Sequence, residues 1–169
     1  MQKIKIDLGC GGNKHEGCFG IDWSRENSDA DIIADLNNGI PLLDNTVDEV
    51  FTSHFLEHIG DLIGMMKEIH RVCKNGARVH IWVPHGLNRM GIEGPEHKHY
   101  FAWCTLDHFC FGIESRIPRL FKMIKKEYEF SNKTWRSRVA KGIVKLTGGI
   151  RGLFAYLIPG FYFELEVMK

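Results

Sequence analysis

The stretch KIKIDLGCGGNKHEGCFGIDW (Lys3–Trp23) decides the fold. Its apolar start predicts a β-strand over Lys3–Leu8, the glycines of Gly9–Gly12 predict a turn, and a second short apolar run ends at Asp22. A glycine turn after one strand and an acid at the end of the next are typical of a nucleotide-binding βαβ unit. The helix of that unit is missing from the pattern.

Too little chain lies between these two strands for a helix of several turns. Only Gly12–Cys18 connects the glycine turn to the second strand, whereas a parallel crossover usually needs about a dozen residues or more. We therefore predict a tight loop or a single helical turn over Asn13–Gly17. One face of the sheet would then be thin, and the C-terminal segment or a partner subunit would cover it.

Strand and helix patterns alternate from this stretch to Pro84. Val47–Phe55 is a β-rich run, and Leu56–Cys73 carries apolar residues at helical spacing. Asn75-Gly76 supplies a helix C-cap, and Ala77–Val83 then predicts a buried strand. This order indicates an α/β domain built on a parallel sheet.

The pattern changes character after Pro84. We predict a short helix over Thr105–Phe111 with Thr105 as its N-cap, a strand over Phe121–Phe130, and a closing strand in FYFELEVMK (Phe161–Lys169). All 169 residues form a single domain in this interpretation.

Composition and charge narrow the class of protein. The chain has 22 Lys and Arg against 21 Asp and Glu, so no overall positive field favours nucleic acid and we expect no nucleic-acid partner. Five cysteines at irregular spacings predict reduced thiols rather than a disulfide framework. The first ten residues lack the apolar stretch of a signal peptide, and we expect a cytoplasmic protein.

Three acids fall at or just after predicted strand ends: Asp7, Asp22 and Asp35. Ligands of a parallel sheet bind beyond the carboxyl ends of its strands. Gly9 and Gly11 would let backbone N–H groups approach a ligand closely. Asp22 is placed to accept both hydroxyls of a ribose, and Asp35 could accept from the exocyclic amine of adenine.

With these motifs the sequence resembles the class I S-adenosylmethionine-dependent methyltransferases, in particular small members of type 11. IDLGCGG resembles the first motif of the family and GIDWS its second-strand motif with the ribose-binding acid. Residues 40–59 and 67–84 are similar to the fourth strand and to the helix, turn and fifth strand, and ELEVMK resembles the last strand. The resemblance implies a Rossmann-like α/β sheet, mostly parallel with an antiparallel last strand, and a shortened first helix.

The resemblance also implies a cofactor, S-adenosyl-L-methionine, and the residues that bind it. The glycine turn would hold the methionine moiety, the second-strand acid the ribose, the end of the third strand the adenine, and the end of the fourth strand the underside of the sulfonium. Residues 1–84 would be the cofactor-binding half and residues 85–169 the acceptor or lid half with the closing strand. The implied cofactor-binding residues are Asp7, Gly9, Cys10, Gly11, Asp22, Asp35, Leu36, Ser53 and His54.

Histidines are the candidate catalytic bases because imidazole titrates near neutral pH. We name His97, His99 and His58 for this role; the alternative is that these rings cap backbone groups in a long loop. His54 and His58 lie four residues apart, but no cysteine or acid completes a ligand set at motif spacing, so we predict no metal site.

The predicted activity is methyl transfer to a small-molecule or sugar- or lipid-linked acceptor. The alternative is a non-catalytic methyltransferase-like protein that acts as a binding or partner subunit, which the short loop Asn13–Gly17 favours. Residues 135–163 are basic and amphipathic; they predict either a weak contact with a membrane surface or a covering lid. A homodimer is also possible on this interpretation.

Overall fold

The computed structural model describes residues 3–112, 117–130, 141–142 and 158–169. Its strands form one seven-stranded sheet in the order β3-β2-β1-β4-β5-β7-β6. Three helices and a 3₁₀ turn at Leu36–Asn38 accompany the sheet in the described ranges. The strands are β1 Lys5–Leu8, β2 Phe19–Asp22, β3 Ile32–Ile33, β4 Val47–Ser53, β5 Cys73–Pro84, β6 Phe121–Glu129 and β7 Gly160–Val167, and the helices are α1 Leu62–Val72, α2 Arg89–Ile92 and α3 Asp107–Phe111.

The sheet is parallel from β3 to β5, and β7 is inserted antiparallel between β5 and β6. This arrangement confirms the predicted α/β fold class, including the antiparallel last strand. The strand order reverses at β1, which pairs with β2 on one side and with β4 on the other. Such a switch point leaves a crevice beyond the carboxyl ends of the strands, where ligands of these folds bind.

Helix α1 begins later than the apolar pattern predicted. Residues 54–60 carry no helix, and the helix begins at Leu62 because the Asp61 carboxylate accepts a hydrogen bond from Gly64 N and caps it. The buried residues Met65, Met66, Ile69 and Val72 face the sheet. The predicted Asn75-Gly76 C-cap is wrong, because the helix ends at Val72 and its capping residue Cys73 already pairs with Val47 in the sheet.

Asn75 and Gly76 lie in an irregular turn of the β5 strand. The pairing of β4 with β5 jumps from Val47 opposite Cys73 to Glu49 opposite Arg78, and Gly76 has a φ of +77°. The glycine therefore serves a bulge rather than a helix end.

The predicted capping role of Thr105 is also wrong. Helix α3 begins at Asp107 with Leu106 in the capping position and no side-chain cap bond. Thr105 Oγ1 accepts a hydrogen bond from Ala102 N at 2.8 Å instead, so it stabilises the turn before the helix. The predicted strands near Phe121–Phe130 and Phe161–Lys169 are confirmed as β6 and β7.

The loop over Asn13–Gly17 is confirmed, and it covers part of one face of the sheet. The His15 ring stacks on Phe51 at 4.7 Å and on Trp82 at 5.4 Å between ring centroids. The same residue donates its backbone N–H to Asp7 Oδ2 at 2.8 Å, and its Nδ1 lies 2.9 Å from that oxygen. The His15 side chain thus covers part of the sheet face that the missing helix would cover.

Beyond His15, this face of the sheet carries ion pairs. Glu49 contacts Lys5 at 2.7 Å and His80 at 3.1 Å, and Arg78 pairs with Glu164 and Glu166 at 3.3 and 3.1 Å. Charged cross-strand pairs are typical of a sheet face that meets water rather than a second helical layer. The opposite face, with α1 against it, carries the apolar core.

No helix within the described ranges is long and apolar enough to cross a membrane. Of the basic amphipathic segment 135–163, the structure describes only residues 141–142 and 158–163. The predicted membrane-surface or lid role of this segment therefore lies largely outside the described residues.

Candidate functional site

A cavity of about 670 Å³ opens at the carboxyl ends of β1, β2 and β4, next to the switch point of the sheet. This volume is within the range of about 300–1,000 Å³ typical of small-molecule sites. Its walls come from the glycine turn, the ends of β2 and β3, the segment after β4 and the loop near residue 97.

The glycine turn forms one wall, and Gly9 has to be glycine there. Its φ is +65°, and a Cβ at this position would lie 2.5 Å from Cδ2 of the Phe55 ring. Gly9 N donates to Ile21 O at 2.8 Å, which ties the turn to β2. The absence of a side chain lets the Phe55 ring, which also lines the cavity, lie directly against the backbone.

Asp22 presents its carboxylate to the cavity while it braces the glycine turn. The residue is 8% exposed, and its Oδ2 accepts from Gly11 N at 2.9 Å and its Oδ1 from Ser24 N at 3.3 Å. A carboxylate has about four lone-pair sites, so two remain for the hydroxyls of a ligand. Trp23, the next residue, is 78% exposed and lines the same wall.

Asp35 stands at the end of β3 and caps the 3₁₀ turn that follows. Its Oδ1 accepts from Asn37 N at 3.0 Å and from Asn37 Nδ2 at 2.9 Å. These hydrogen bonds, chiefly that from the Asn37 side chain, lower the pKa of the Asp35 carboxyl. Ala34 N donates to Asp22 O at 2.9 Å, which brings the ends of β2 and β3 into one wall.

The segment after β4 forms the opposite wall around His54. This residue has a φ of +53°, and its backbone N–H donates to Trp82 O at 3.0 Å. Its Nδ1 lies 3.3 Å from Oε1 of Glu57, a residue only 1% exposed. The hydrogen bond with Glu57 raises the pKa of the His54 imidazole above its ordinary value.

The structure brings together five of the nine predicted cofactor-binding residues as cavity lining: Gly9, Asp22, Asp35, Leu36 and His54.

Four do not line the cavity: Asp7, Cys10, Gly11 and Ser53. Asp7 is 2% exposed, and its Oδ2 is hydrogen-bonded to His15. The Cys10 thiol lies 4.0 Å from Ser28 Oγ. Gly11 donates its backbone N–H to Asp22, which does line the cavity. As cofactor contacts, all nine residues stay predictions.

Two of the three predicted bases, His58 and His97, lie at this site. His58 lines the cavity, and its ring meets that of His97 edge to face at 4.8 Å. His97 Nδ1 is 2.9 Å from Gly91 O. The buried Nε2 of His99 has no hydrogen-bond partner within the described ranges. Their role as bases stays a prediction.

Several lining residues escaped the sequence analysis. Trp23 could have been found because it directly follows the second-strand acid. Phe55 and Ile59 have apolar side chains like those of a core, and Glu96 and Lys98 come from a loop placed by the backbone hydrogen bond from Lys98 N to Glu57 O at 2.7 Å. Only the folded chain reveals that contact.

A second, smaller cavity of about 270 Å³ lies beyond the ends of β5, β6 and β7. Aromatic rings of Trp82, Tyr128 and Tyr162 line it together with Glu129 and Lys141. Burial raises the pKa of the Glu129 carboxyl, and the nearby His54 offsets part of this rise. His54 of the larger cavity donates its backbone N–H to the O atom of Trp82, which lines this one, so the two cavities are neighbours.

Comparison with known proteins gives the same assignment for the fold. A family described as methyltransferase domain matches residues 6–81. A comparison with curated proteins finds no match.

Three solved structures with a similar fold are each below 25% identical to this chain. A chain from the complex between the Haloferax volcanii Trm112 methyltransferase activator and a protein assigned there as a methyltransferase is 15% identical, with a TM-score of 0.70 over 99% of this chain and 83% of that one. An S-adenosylmethionine-dependent methyltransferase from Archaeoglobus fulgidus is 18% identical, with a TM-score of 0.66 over 97% and 86% of the two chains. Another from Mesorhizobium loti is 15% identical, with a TM-score of 0.60 over 96% and 90%.

Proposed function

Residues 6–81 belong to the methyltransferase domain family, and from this premise we propose that the protein binds S-adenosyl-L-methionine in the larger cavity and transfers its methyl group to an acceptor. The observation that carries the proposal is the junction of the Gly9 turn with the Asp22 carboxylate in one wall of that cavity. At this junction a ligand can lie close to the backbone of the glycine turn, and the Asp22 carboxylate can still accept hydrogen bonds from it.

The residues present fit the cofactor part by part. The two unshared lone-pair sites of Asp22 suit the two hydroxyls of a ribose. Leu36, which is 4% exposed, offers an apolar contact for the adenine, and Asn37 beside it adds polar groups. Gly9 and the Phe55 ring packed against it line the cavity where we propose that the methionine moiety binds.

When bound, this cofactor supplies a methyl group on a positively charged sulfur, which a nucleophile of the acceptor displaces. The chain has to align the acceptor and to remove its proton. His58 lies in the cavity wall with His97 beside it, which supports the proposal that one of them removes this proton while no metal ion is bound. His54 retains its proton to a higher pH because of Glu57, which suits it to donate a hydrogen bond.

We propose a small polar molecule or a sugar- or lipid-linked group as the acceptor, bound in the smaller cavity. Support comes from its lining, since the Trp82 and Tyr162 rings can stack on a sugar face and Glu129 can accept from hydroxyl groups. His54 is hydrogen-bonded through its backbone N–H to the O atom of Trp82, a residue of this cavity. An acceptor there would approach the cofactor past His54.

A non-catalytic role as a partner subunit is the second candidate. Two observations favour it: the first helix is reduced to a loop, and one structure of similar fold contains a methyltransferase activator, Trm112, as its partner. In this role the chain would bind the cofactor weakly or not at all.

Titration calorimetry with S-adenosylmethionine and with S-adenosylhomocysteine separates the two functions. We expect saturable binding of both ligands; no heat at about 1 mM of either ligand would refute the methyltransferase proposal and favour the partner role.

The variant Asp22→Ala tests the ribose assignment. Loss of its charge-assisted hydrogen bonds should weaken cofactor binding about 10–100-fold. Glu26→Ala is the matched control, because Glu26 is an exposed acid in the next turn that does not line the cavity. Equal affinities of the two variants would contradict the assignment of Asp22.

A further inference from the structure

We propose that Glu57, His58 and His97 bind a divalent transition-metal ion, Zn²⁺ by the chemistry of the ligands, beside the larger cavity. Each side chain offers one ligand atom, and the three atoms lie within 4.8 Å of one another. Two imidazoles and a glutamate with a fourth position left open form one of the known ligand sets of catalytic zinc. Modest side-chain movement brings such atoms to the distance of about 2.0–2.2 Å that zinc requires.

The Glu57 carboxylate gives an independent reason for a cation here. The residue is 1% exposed, and its Oε1 is paired with His54 Nδ1 at 3.3 Å. Its Oε2 is buried and has no hydrogen-bond partner among the residues that the structure describes. A buried carboxylate oxygen without a partner is costly and rare, and a bound cation would supply the missing partner.

The surroundings of His97 are those of a metal ligand. Its Nδ1 lies 2.9 Å from Gly91 O, so the neutral ring donates Nδ1–H to this carbonyl and keeps a lone pair on Nε2. Metal-binding histidines commonly donate their other nitrogen to a carbonyl or a carboxylate in this way. A Cβ on Gly94 would lie 2.7 Å from His97 Nε2, so the ring can take this position only because residue 94 is glycine.

The sequence does not reveal this cluster because Glu57 is adjacent to His58 but far from His97 in the chain. The backbone O of Glu57 accepts from Lys98 N at 2.7 Å and from His99 N at 3.2 Å. These bonds dock the later loop onto the segment after β4 and bring His97 to His58. The three residues therefore show no motif spacing in the sequence.

The position of the site gives the ion a use. His58 lines the cavity, as do Glu96 and Lys98 of the docked loop. An ion on this wall could bind an oxygen of an acceptor that reaches from the smaller cavity into the larger one, and could lower the pKa of that hydroxyl. This use rests on the proposed function, whereas metal binding itself does not.

Metal titration of the protein tests the proposal. The chain is prepared without an affinity tag, in a Cys104→Ser background because that thiol is exposed, and is freed of metal with EDTA. Co²⁺ is then added and followed by the visible absorption of the four-coordinate ion, Zn²⁺ is added as competitor, and Zn²⁺ binding is measured by calorimetry. We expect one equivalent of either ion to bind and the cobalt bands to vanish with zinc.

Three ligand variants and two further variants make the test specific. Glu57→Gln, His58→Gln and His97→Gln should each weaken binding by about 10–100-fold or more. Gly94→Ala should also weaken metal binding, although it removes no ligand, because its Cβ would displace the His97 ring. His70→Gln should bind as the parent does, because the His70 ring contacts Met168 O at the far end of α1.

Melting temperatures show whether a variant remains folded. Zn²⁺ should raise the melting temperature of the parent and of His70→Gln but not that of the ligand variants. Absence of cobalt bands and of zinc heat in the parent would overturn the proposal, as would ligand variants that bind like His70→Gln. Calorimetry with S-adenosylmethionine is a separate measurement, so failure of the metal site and failure of the methyltransferase function are distinguishable.

Discussion

At the scale of single residues, two acids at the ends of neighbouring strands have opposite surroundings. The Asp7 carboxylate contacts the backbone and ring of His15 and does not line the cavity. Asp22 is bonded to the glycine turn and keeps acceptor sites toward the cavity. Their sequence contexts are alike, so the difference arises from their partners: the loop Asn13–Gly17 places His15 on Asp7, whereas the glycine turn places Gly11 N on Asp22.

Gly9→Ala tests the close contact between the glycine turn and Phe55. The added Cβ would lie 2.5 Å from the ring at a φ of +65°, so Phe55 has to move and the cavity wall with it. We expect a loss of unfolding free energy of about 1–3 kcal/mol from this overpacking and weaker cofactor binding, measured by urea unfolding and calorimetry.

Gly11→Ala is the matched control. Its φ is +49°, so it carries similar backbone strain, but no atom lies within 4 Å of the added Cβ. Equal losses in the two variants would show that strain, rather than the contact with Phe55, decides the effect.

At the scale of elements, the loop Asn13–Gly17 depends on one side chain. His15→Ala removes the hydrogen bond of the ring to the buried Asp7 and its stacking on Phe51 and Trp82. We expect a cost of about 1–3 kcal/mol in unfolding free energy, since Asp7 Oδ2 then keeps only its backbone donor. Urea unfolding measures it.

Glu16→Ala controls for a change within the same loop, because the Glu16 side chain is exposed. If it destabilised the protein as much as His15→Ala, the loop would not be anchored through the His15 ring.

Helix α1 is clamped to the segment before β4 by Arg71. All five N–H donors of the guanidinium are used, on Glu68, Asp44 and the carbonyls of Ile40 and Leu42. Arg71→Lys cannot reproduce this fork, and we expect a loss of about 1–2 kcal/mol in unfolding free energy near neutral pH.

The loss should depend on pH with a definite sign. The Arg71 guanidinium lowers the pKa of the Glu68 carboxyl below its ordinary value of 4.5. Because the pKa of Glu68 is lower in the folded protein, its ion pair stabilises the fold at pH values above 4.5. This stabilisation is lost as the pH falls through the pKa of the folded state. Urea unfolding of the parent and of Arg71→Lys between pH 3 and 7 should give about the same unfolding free energy for both at the acid end. The exposed control Arg25→Lys should match the parent at every pH.

At the scale of the whole molecule, β7 joins the two halves of the chain. It pairs with β5 of residues 1–84 on one side and with β6 of residues 85–169 on the other. Its residues Phe161, Phe163 and Leu165 are fully buried. A chain with this connection should unfold as one unit.

Phe163→Ala tests that unity. The cavity it creates should cost about 3–5 kcal/mol and shift a single urea transition observed alike by tryptophan fluorescence and by far-ultraviolet circular dichroism. Phe111→Ala, at a residue 64% exposed, should have little effect. Two separate transitions would contradict the single domain.

The sequence by itself determined the order of strands, the glycine turn, the absence of the first helix and the acid at Asp22. These features are local, because they depend on residues close together in the chain and on the side-chain periods of strand and helix. Errors arose where a residue fitted two local roles, as when Gly76 suited a helix cap but serves a strand bulge.

Only the tertiary structure decided which side chains meet. His15 on the sheet face opposite α1, Lys98 in the cavity wall, and His97 beside Glu57 and His58 come together through hydrogen bonds and packing between segments far apart in sequence. The hydrophobic periodicity of the sequence does not predict such contacts, since they depend on where the loops dock on the sheet. The cofactor motif could therefore be recognised from the sequence, whereas the histidine and glutamate cluster next to it could not.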